Sequence, residues 1–188
     1  MAAAAAAAVQ AAFDRRTGPG RALGGDAELI ARACRDMAVR FHRGGKLLVF
    51  GAGGAAADAE HVAVEFTHPV VVGKRALPAM CLPGAFAERT RLFGRPDDIA
   101  LGISADGHCA DVLEALREAR ATGMETVALL GGDGGAIAAS GAARHVLIAR
   151  SGDPRVVKEV HVTAYHILWE LVHVFFDQPG TLEGEAAR

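Results

Sequence analysis

The hydrophobic pattern changes period along the chain. From Asp26 to about Arg43, apolar residues return at helical spacing, so that Leu29, Ile30, Ala33, Met37 and Phe41 share one face. Gly44 and Gly45 end that helix, and the short run KLLVFG reads as a buried strand. An alanine-rich helix follows to about Phe66 or Thr67, before Pro69 stops it. ALPAMCL is a second, short strand between Pro78 and Pro83; GAFAERTRLFGRPDD is a short helix and loop; IALGIS is a third strand. Asp111 to Thr122 is amphipathic, with Val112, Leu113, Leu116 and Ala119 inward. ETVALLGG and ARHVLIAR are further strands, separated by the short helix GGAIAASGA. A long helix then covers Pro154 to Phe176.

Strands alternating with helices across short glycine- and proline-rich joints predict an α/β fold, a three-layer sandwich with a mainly parallel sheet flanked by helices. An N-terminal helix precedes it. Alanine is the strongest helix former, so MAAAAAAAVQAAF reads as a helix. It lacks the basic start and cleavage pattern of a signal peptide. TGPGRALGGD reads as a hinge. The expected organisation is an N-terminal helix and hinge over 1–25, serving oligomerisation, one domain over 26–176 and a flexible tail over 177–188.

Composition narrows the class. A chain of 188 residues suits one domain with a sizeable core, and with 51% hydrophobic but only 5% aromatic residues, small aliphatic side chains must fill it. The formal charge of −2 gives no basis for binding nucleic acid or a membrane surface. Cys34, Cys81 and Cys109 form no CxxC pair or disulfide framework, which fits a reducing, cytoplasmic setting. No apolar run reaches the roughly 18 residues of a membrane span.

In open parallel sheets, ligands bind beyond the carboxyl ends of the strands. Three loops fall there: GAGGAA with Gly53 and Gly54, SADGHC with Ser104, Asp106 and Gly107, and GGDGG with Asp133. Glycines in such turns let backbone N–H groups close on an anion, although they also serve as plain tight joints. Four residues separate His61 from Glu65, so both lie on one helical face, about 5–6 Å apart at Cβ. By spacing alone this is either a surface pair or part of a site. Similarly, His166, amid Tyr165, Ile167, Leu168 and Trp169, suits a packed core position, and His161 a structural or supporting one.

GAGGAAADAEHVAVEF resembles the GNGGSAADAQHFAAEL-type motif of the phosphoheptose isomerases, sugar isomerase (SIS) domain proteins acting on sedoheptulose 7-phosphate. GRPDDIALGISADGHCADVLEALREARATGMETVALLGGDGG and VVKEVHVTAYHILWELV are similar to two further motifs in the same order, so the resemblance spans about Asp26 to Val174. It implies the SIS fold and an aldose–ketose isomerisation through an enediol, with Glu65 as base and His166 as acid. It also implies a possible zinc ion on His61, Glu65 and His166, as in metal-bound members. Lys158 stands where those members carry a glutamine ligand, and an ammonium has no lone pair for a metal.

The departures are concentrated in the anion loops. Ala52 and Ala55 replace an asparagine and a serine, and of the hydroxyl-rich STSGNS only Ser104 persists. Asp106 brings a carboxylate to the phosphate loop, or else caps the following helix and points away. CLPGAFAERTRLFGRPDD is shorter than the family's matching segment. Three outcomes follow: an isomerase for a different sugar or sugar phosphate, a catalytically silent SIS scaffold or regulator, or a degenerate subunit completed by an active paralogous SIS chain. A homodimer or homotetramer is expected, because the last helix is apolar around much of its circumference and the family's N-terminal helices pack between subunits.

Overall fold

Successive side chains of the fully buried central strands point to opposite faces of a sheet, which creates two cores, one on each face. The structure is a computed structural model that describes residues 2–178, Gly180 and Leu182. Five strands, β1 (Leu47–Gly51), β2 (Ala79–Cys81), β3 (Ile99–Ser104), β4 (Glu125–Gly131) and β5 (His145–Ala149), pair in parallel in the order β2-β1-β3-β4-β5. Leu47, Val49, Ile99, Leu101, Ile103, Val127 and Leu129 point to one face. Their neighbours Leu48, Phe50, Ala100, Ala128 and Leu130 point to the other. This is the period-two rule for a sheet covered on both sides.

The first face is covered by α1 (Ala2–Gly25), α2 (Ala27–His42), α3 (Ala55–Thr67) and α7 (Pro154–Phe176). The second takes α4 (Phe86–Phe93), α5 (Ala110–Thr122) and α6 (Gly135–Ser140). In α2 the predicted face is correct: Ile30, Ala33, Met37 and Phe41 are buried, joined by Cys34 and Ala38. Burial pushes the Cys34 thiol up to about 12, which keeps it protonated. Strand order reverses beside β1, since β2 lies on one side and β3 on the other. The crevice at the carboxyl ends of β1 and β3 is therefore the topological switch point.

The hinge expected after the first helix is absent. Helix α1 runs unbroken through Gly18, Pro19 and Gly20 to Gly25. An interior proline costs about 3 kcal/mol because it removes one N–H and crowds the preceding turn. Docking on either side of Pro19 offsets this. Arg16 forms a two-pronged ion pair with Glu159 of α7 (2.6 and 2.8 Å), and Leu23 is buried in the core. Tertiary contact has overridden a local breaker. The expected tail, 177–188, falls largely outside the described residues.

In α7 the subunit itself buries Tyr165, Leu168, Trp169 and Val172, while Val162, Ile167, Leu171, Phe175 and Phe176 are half-buried and Val174 is exposed. At the opposite end of the sheet from the switch point, His145 Nε2 lies 3.0 Å from Asp36 Oδ2 and 3.5 Å from Glu125 Oε1. Arg40 and Arg144 reach the outer Glu125 oxygen. This network fastens α2 to β4 and β5. Among the described residues no helix is long and apolar enough to cross a membrane.

Candidate active site between α3 and α7

Helix α3 begins directly after the turn that closes β1. Gly53 adopts φ +59°, and Ala55 N bonds back to the Ala52 carbonyl, so the chain reverses within one turn. No side chain caps the helix; its first two amides, of Ala55 and Ala56, bond back to the Ala52 and Gly53 carbonyls instead. Asp58, His61 and Glu65 follow at spacings of three and four, forming one polar stripe along α3. Helix α7 supplies the facing stripe with Lys158, His161, Tyr165 and His166.

The two stripes meet as a polar seam. His61 Nε2 lies 3.1 Å from Glu65 Oε1, and His166 Nε2 lies 3.8 Å from the same oxygen. The Tyr165 hydroxyl bonds His61 Nδ1 at 2.9 Å. Burial, then the negative fields of Asp58 and Glu65, push the Tyr165 phenol up to about 12, so it remains protonated. With that proton donated to Nδ1, His61 presents Nε2–H to Glu65 and orients the carboxylate. Glu65 is only 12% exposed, whereas the two imidazoles are nearly half exposed. The carboxylate is sheltered and the imidazoles are reachable.

Beside this cluster lies a cavity of about 450 Å³, lined by Glu65, His166, Trp169 and Glu170 and walled by Val70, Val71 and Val174. Lys74 also lines it and pairs with Asp177. Further up the seam, Lys158 Nζ bonds Asp58 Oδ1 at 2.7 Å and approaches the Gly54 carbonyl at 3.4 Å. Lys158 is thus the partner of Asp58, one turn before His61.

A divalent metal fits the lower cluster. The donor atoms of His61, Glu65 and His166 all lie within 4.8 Å of one another. Separations of 3.1 and 3.8 Å suit ligands placed about 2.0–2.2 Å from a central zinc ion. The Tyr165 oxygen can accept as well as donate, so His61 can turn its lone pair at Nε2 toward an ion while Nδ1–H remains bonded.

The predicted anion loop is organised differently. Ser104 is buried, and its hydroxyl oxygen accepts from Gly107 N (3.1 Å) and Cys109 N (3.4 Å). Its own proton faces Asp106 Oδ1 at 3.3 Å, and that same oxygen accepts His108 N–H at 2.9 Å. Asp106 therefore does not cap α5, whose N-cap position is Cys109 with no side-chain bond. Its carboxylate instead takes two donors of its own loop. Gly107 adopts φ +75°, and a Cβ there would fall 2.1 Å from the Gly134 carbonyl oxygen, so the loop packs directly on GGDGG. Asp133 closes a turn in that second loop by accepting Gly135 N–H at 2.9 Å.

The sequence thus pointed to His61, Glu65 and His166 together, which the fold unites. Tyr165 and Asp58 were missed as members of the site. The available signal was spacing: Asp58 precedes His61 by three residues and Glu65 by seven, on the same face.

No family model matches the chain. It is 39% identical over 165 residues to the phosphoheptose isomerase of Chlorobaculum parvum, covering 78% of each chain. Against the phosphoheptose isomerase of Chlorobium phaeobacteroides it is 41% identical over 166 residues, covering 79% of this chain and 73% of the relative. The solved structure of phosphoheptose isomerase from Neisseria gonorrhoeae superposes with a TM-score of 0.78 at 28% identity, covering 87% of this chain and 96% of that one. The structure of a phosphoheptose isomerase from Francisella tularensis gives 0.82 at 24% identity, a likeness of fold. With its seam of His61, Glu65 and His166 in place, the chain belongs to the phosphoheptose isomerase family of SIS-domain proteins.

Proposed function

We propose that the chain is an aldose–ketose isomerase of the sugar or sugar phosphate class whose anion handling is altered from that of its relatives. One observation carries the reading: Glu65 is sheltered at a cavity wall, aligned by one imidazole and faced by a second. Isomerisation of this kind moves a proton between adjacent carbons and needs a base at carbon and an acid at oxygen. Glu65 takes the proton from the carbon beside the carbonyl, and His166 delivers one to the carbonyl oxygen, giving an enediol. Reversing the two roles returns the proton to the neighbouring carbon. His61, set by Tyr165, holds the carboxylate in line.

His61, Glu65 and His166 would also hold a zinc ion, which supplies Lewis-acid polarisation of a carbonyl oxygen. Lys158 stays outside that set, engaged with Asp58. The altered anion handling is supported by Asp106, whose carboxylate occupies donors of the SADGHC loop.

The test is turnover of sedoheptulose 7-phosphate and of sedoheptulose by the purified protein, with and without added zinc. Wild type is expected to form the aldose from at least one of them, and Glu65→Gln to lower the rate by about 10²–10⁴-fold. Absence of turnover with both, and of any thermal shift, would establish a silent scaffold instead.

A further inference from the structure

We propose that Asp36, Glu125 and His145 form a divalent-metal site of the zinc class, at the end of the sheet remote from the α3–α7 seam. The site is independent of the isomerase reading, because none of the three residues belongs to the seam or lines its cavity. Glu125 opens β4, His145 opens β5, and Asp36 lies in α2. The register sets His145 beside Val127, and Glu125 stands two residues before Val127, so both side chains emerge on the face that α2 covers. The fold thus delivers an imidazole and two carboxylates to one point from three elements.

One donor atom from each residue lies within 4.8 Å of the other two. His145 Nε2 is 3.0 Å from Asp36 Oδ2 and 3.5 Å from Glu125 Oε1. Tetrahedral ligands placed about 2.0–2.2 Å from zinc stand roughly 3.3–3.6 Å apart, so an ion enters with only small side-chain shifts. Glu125 supplies the independent sign. It is 2% exposed, and its Oε1 makes no hydrogen bond among the described residues. A carboxylate oxygen so buried calls for a partner. Nε2 carries at most one proton, and Asp36 receives it at 3.0 Å, so the imidazole cannot serve both carboxylates. Exchanging that proton for a metal ion gives all three atoms a partner at once.

Arginines stand behind the ligands. Arg144 and Arg40 lie 3.5 and 3.7 Å from Glu125 Oε2, and Arg35 lies 3.6 Å from Asp36 Oδ1. They hold the outer oxygens and turn the inner ones toward His145, as groups behind a metal ligand do. Arg144 also approaches the inner Asp36 oxygen at 3.7 Å, but its side chain is exposed and swings aside as the ion enters. The guanidinium charges oppose the ion, so its affinity is moderate. An imidazole beside two carboxylates suits zinc, whereas magnesium and calcium prefer oxygen alone. An ion here pins α2 to β4 and β5 and stabilises the fold without entering the chemistry of the seam.

Equilibrium dialysis against zinc tests this in a His61→Ala/His166→Ala protein, from which the ligands of the seam have been removed. That protein is expected to bind one zinc ion per chain. Adding Glu125→Gln or Asp36→Asn should weaken the binding by about tenfold or more. Zinc at about 100 times its Kd should raise the melting temperature of the His61→Ala/His166→Ala protein by about 5–10 °C, and Glu125→Gln should abolish the rise. In ¹⁵N spectra of the wild-type protein, which needs no substitution to fold, zinc should shift Nε2 of His145. No zinc on the His61→Ala/His166→Ala protein, an affinity that either carboxylate substitution leaves unaltered, or an unmoved His145 Nε2 at saturating zinc would overturn the proposal. Each of these results leaves the isomerase reading intact, because turnover tests that reading separately.

Discussion

Replacing Asp106 by serine should strengthen phosphate binding. In the folded chain Asp106 Oδ1 accepts His108 N–H at 2.9 Å and faces the Ser104 hydroxyl at 3.3 Å, so an anion approaching the same donors comes within about 4 Å of a carboxylate. At 4 Å, two unit charges interact by about 4 kcal/mol at an effective dielectric of 20 and about 1 kcal/mol in water. Asp106 is exposed, which moves the penalty toward the lower figure, about 1–2 kcal/mol. That corresponds to roughly 5–30-fold in Kd. Serine keeps a side-chain oxygen able to close the turn, although more weakly than aspartate, so the loop should persist. Titration calorimetry with inorganic phosphate and with sedoheptulose 7-phosphate, at one fixed ionic strength, reads the change. A Kd for Asp106→Ser equal to that of wild type for both ligands would refute the repulsion argument.

The far end of the sheet offers an acid-stability test. The hydrogen bond from His145 is the main cause holding the Asp36 carboxyl below its ordinary range. Its stabilisation is therefore complete above the unfolded carboxylate pKa of about 4 and is lost as pH falls through the depressed folded value. Urea titrations between pH 6 and 2.5 should show His145→Asn about 2 kcal/mol less stable at pH 6, with a shallower acid loss; coincident profiles would contradict this. Gly131→Ala should lower the melting temperature, because its Cβ would fall 1.9 Å from the Ala105 carbonyl oxygen and 2.7 Å from Val157. A cost of about 1–3 kcal/mol corresponds to roughly 3–10 °C in a chain of this length, and an unchanged melting curve would count against that packing.

What the sequence made legible follows from the reach of each signal. Periodicity along one element identified the buried face of α2, the strands and the shared face of His61 and Glu65. Contacts between elements lay beyond it. Tyr165 reaches His61 across 104 positions, and Lys158 reaches Asp58 across 100, so no local spacing announces either. Proline and glycine in TGPGRALGGD gave a correct local preference that the clasp of Arg16 on Glu159 defeats. The place of Ser104 after β3 is legible in the sequence, but not that the tight turn at Gly107 brings two amides onto its hydroxyl.

The SADGHC loop and the α3–α7 seam differ in how they can change over evolutionary time. The loop is held by short-range bonds among neighbours, so a single substitution can refashion what it grips. The seam is borne by two helices, α3 anchored by Val62 and Phe66 and α7 by Leu168 and Val172, and displacing one donor means displacing a whole helix. Selection can thus refashion the loop cheaply while the arrangement of His61, Glu65 and His166 is retained, so divergence among such proteins should accumulate at the loop first.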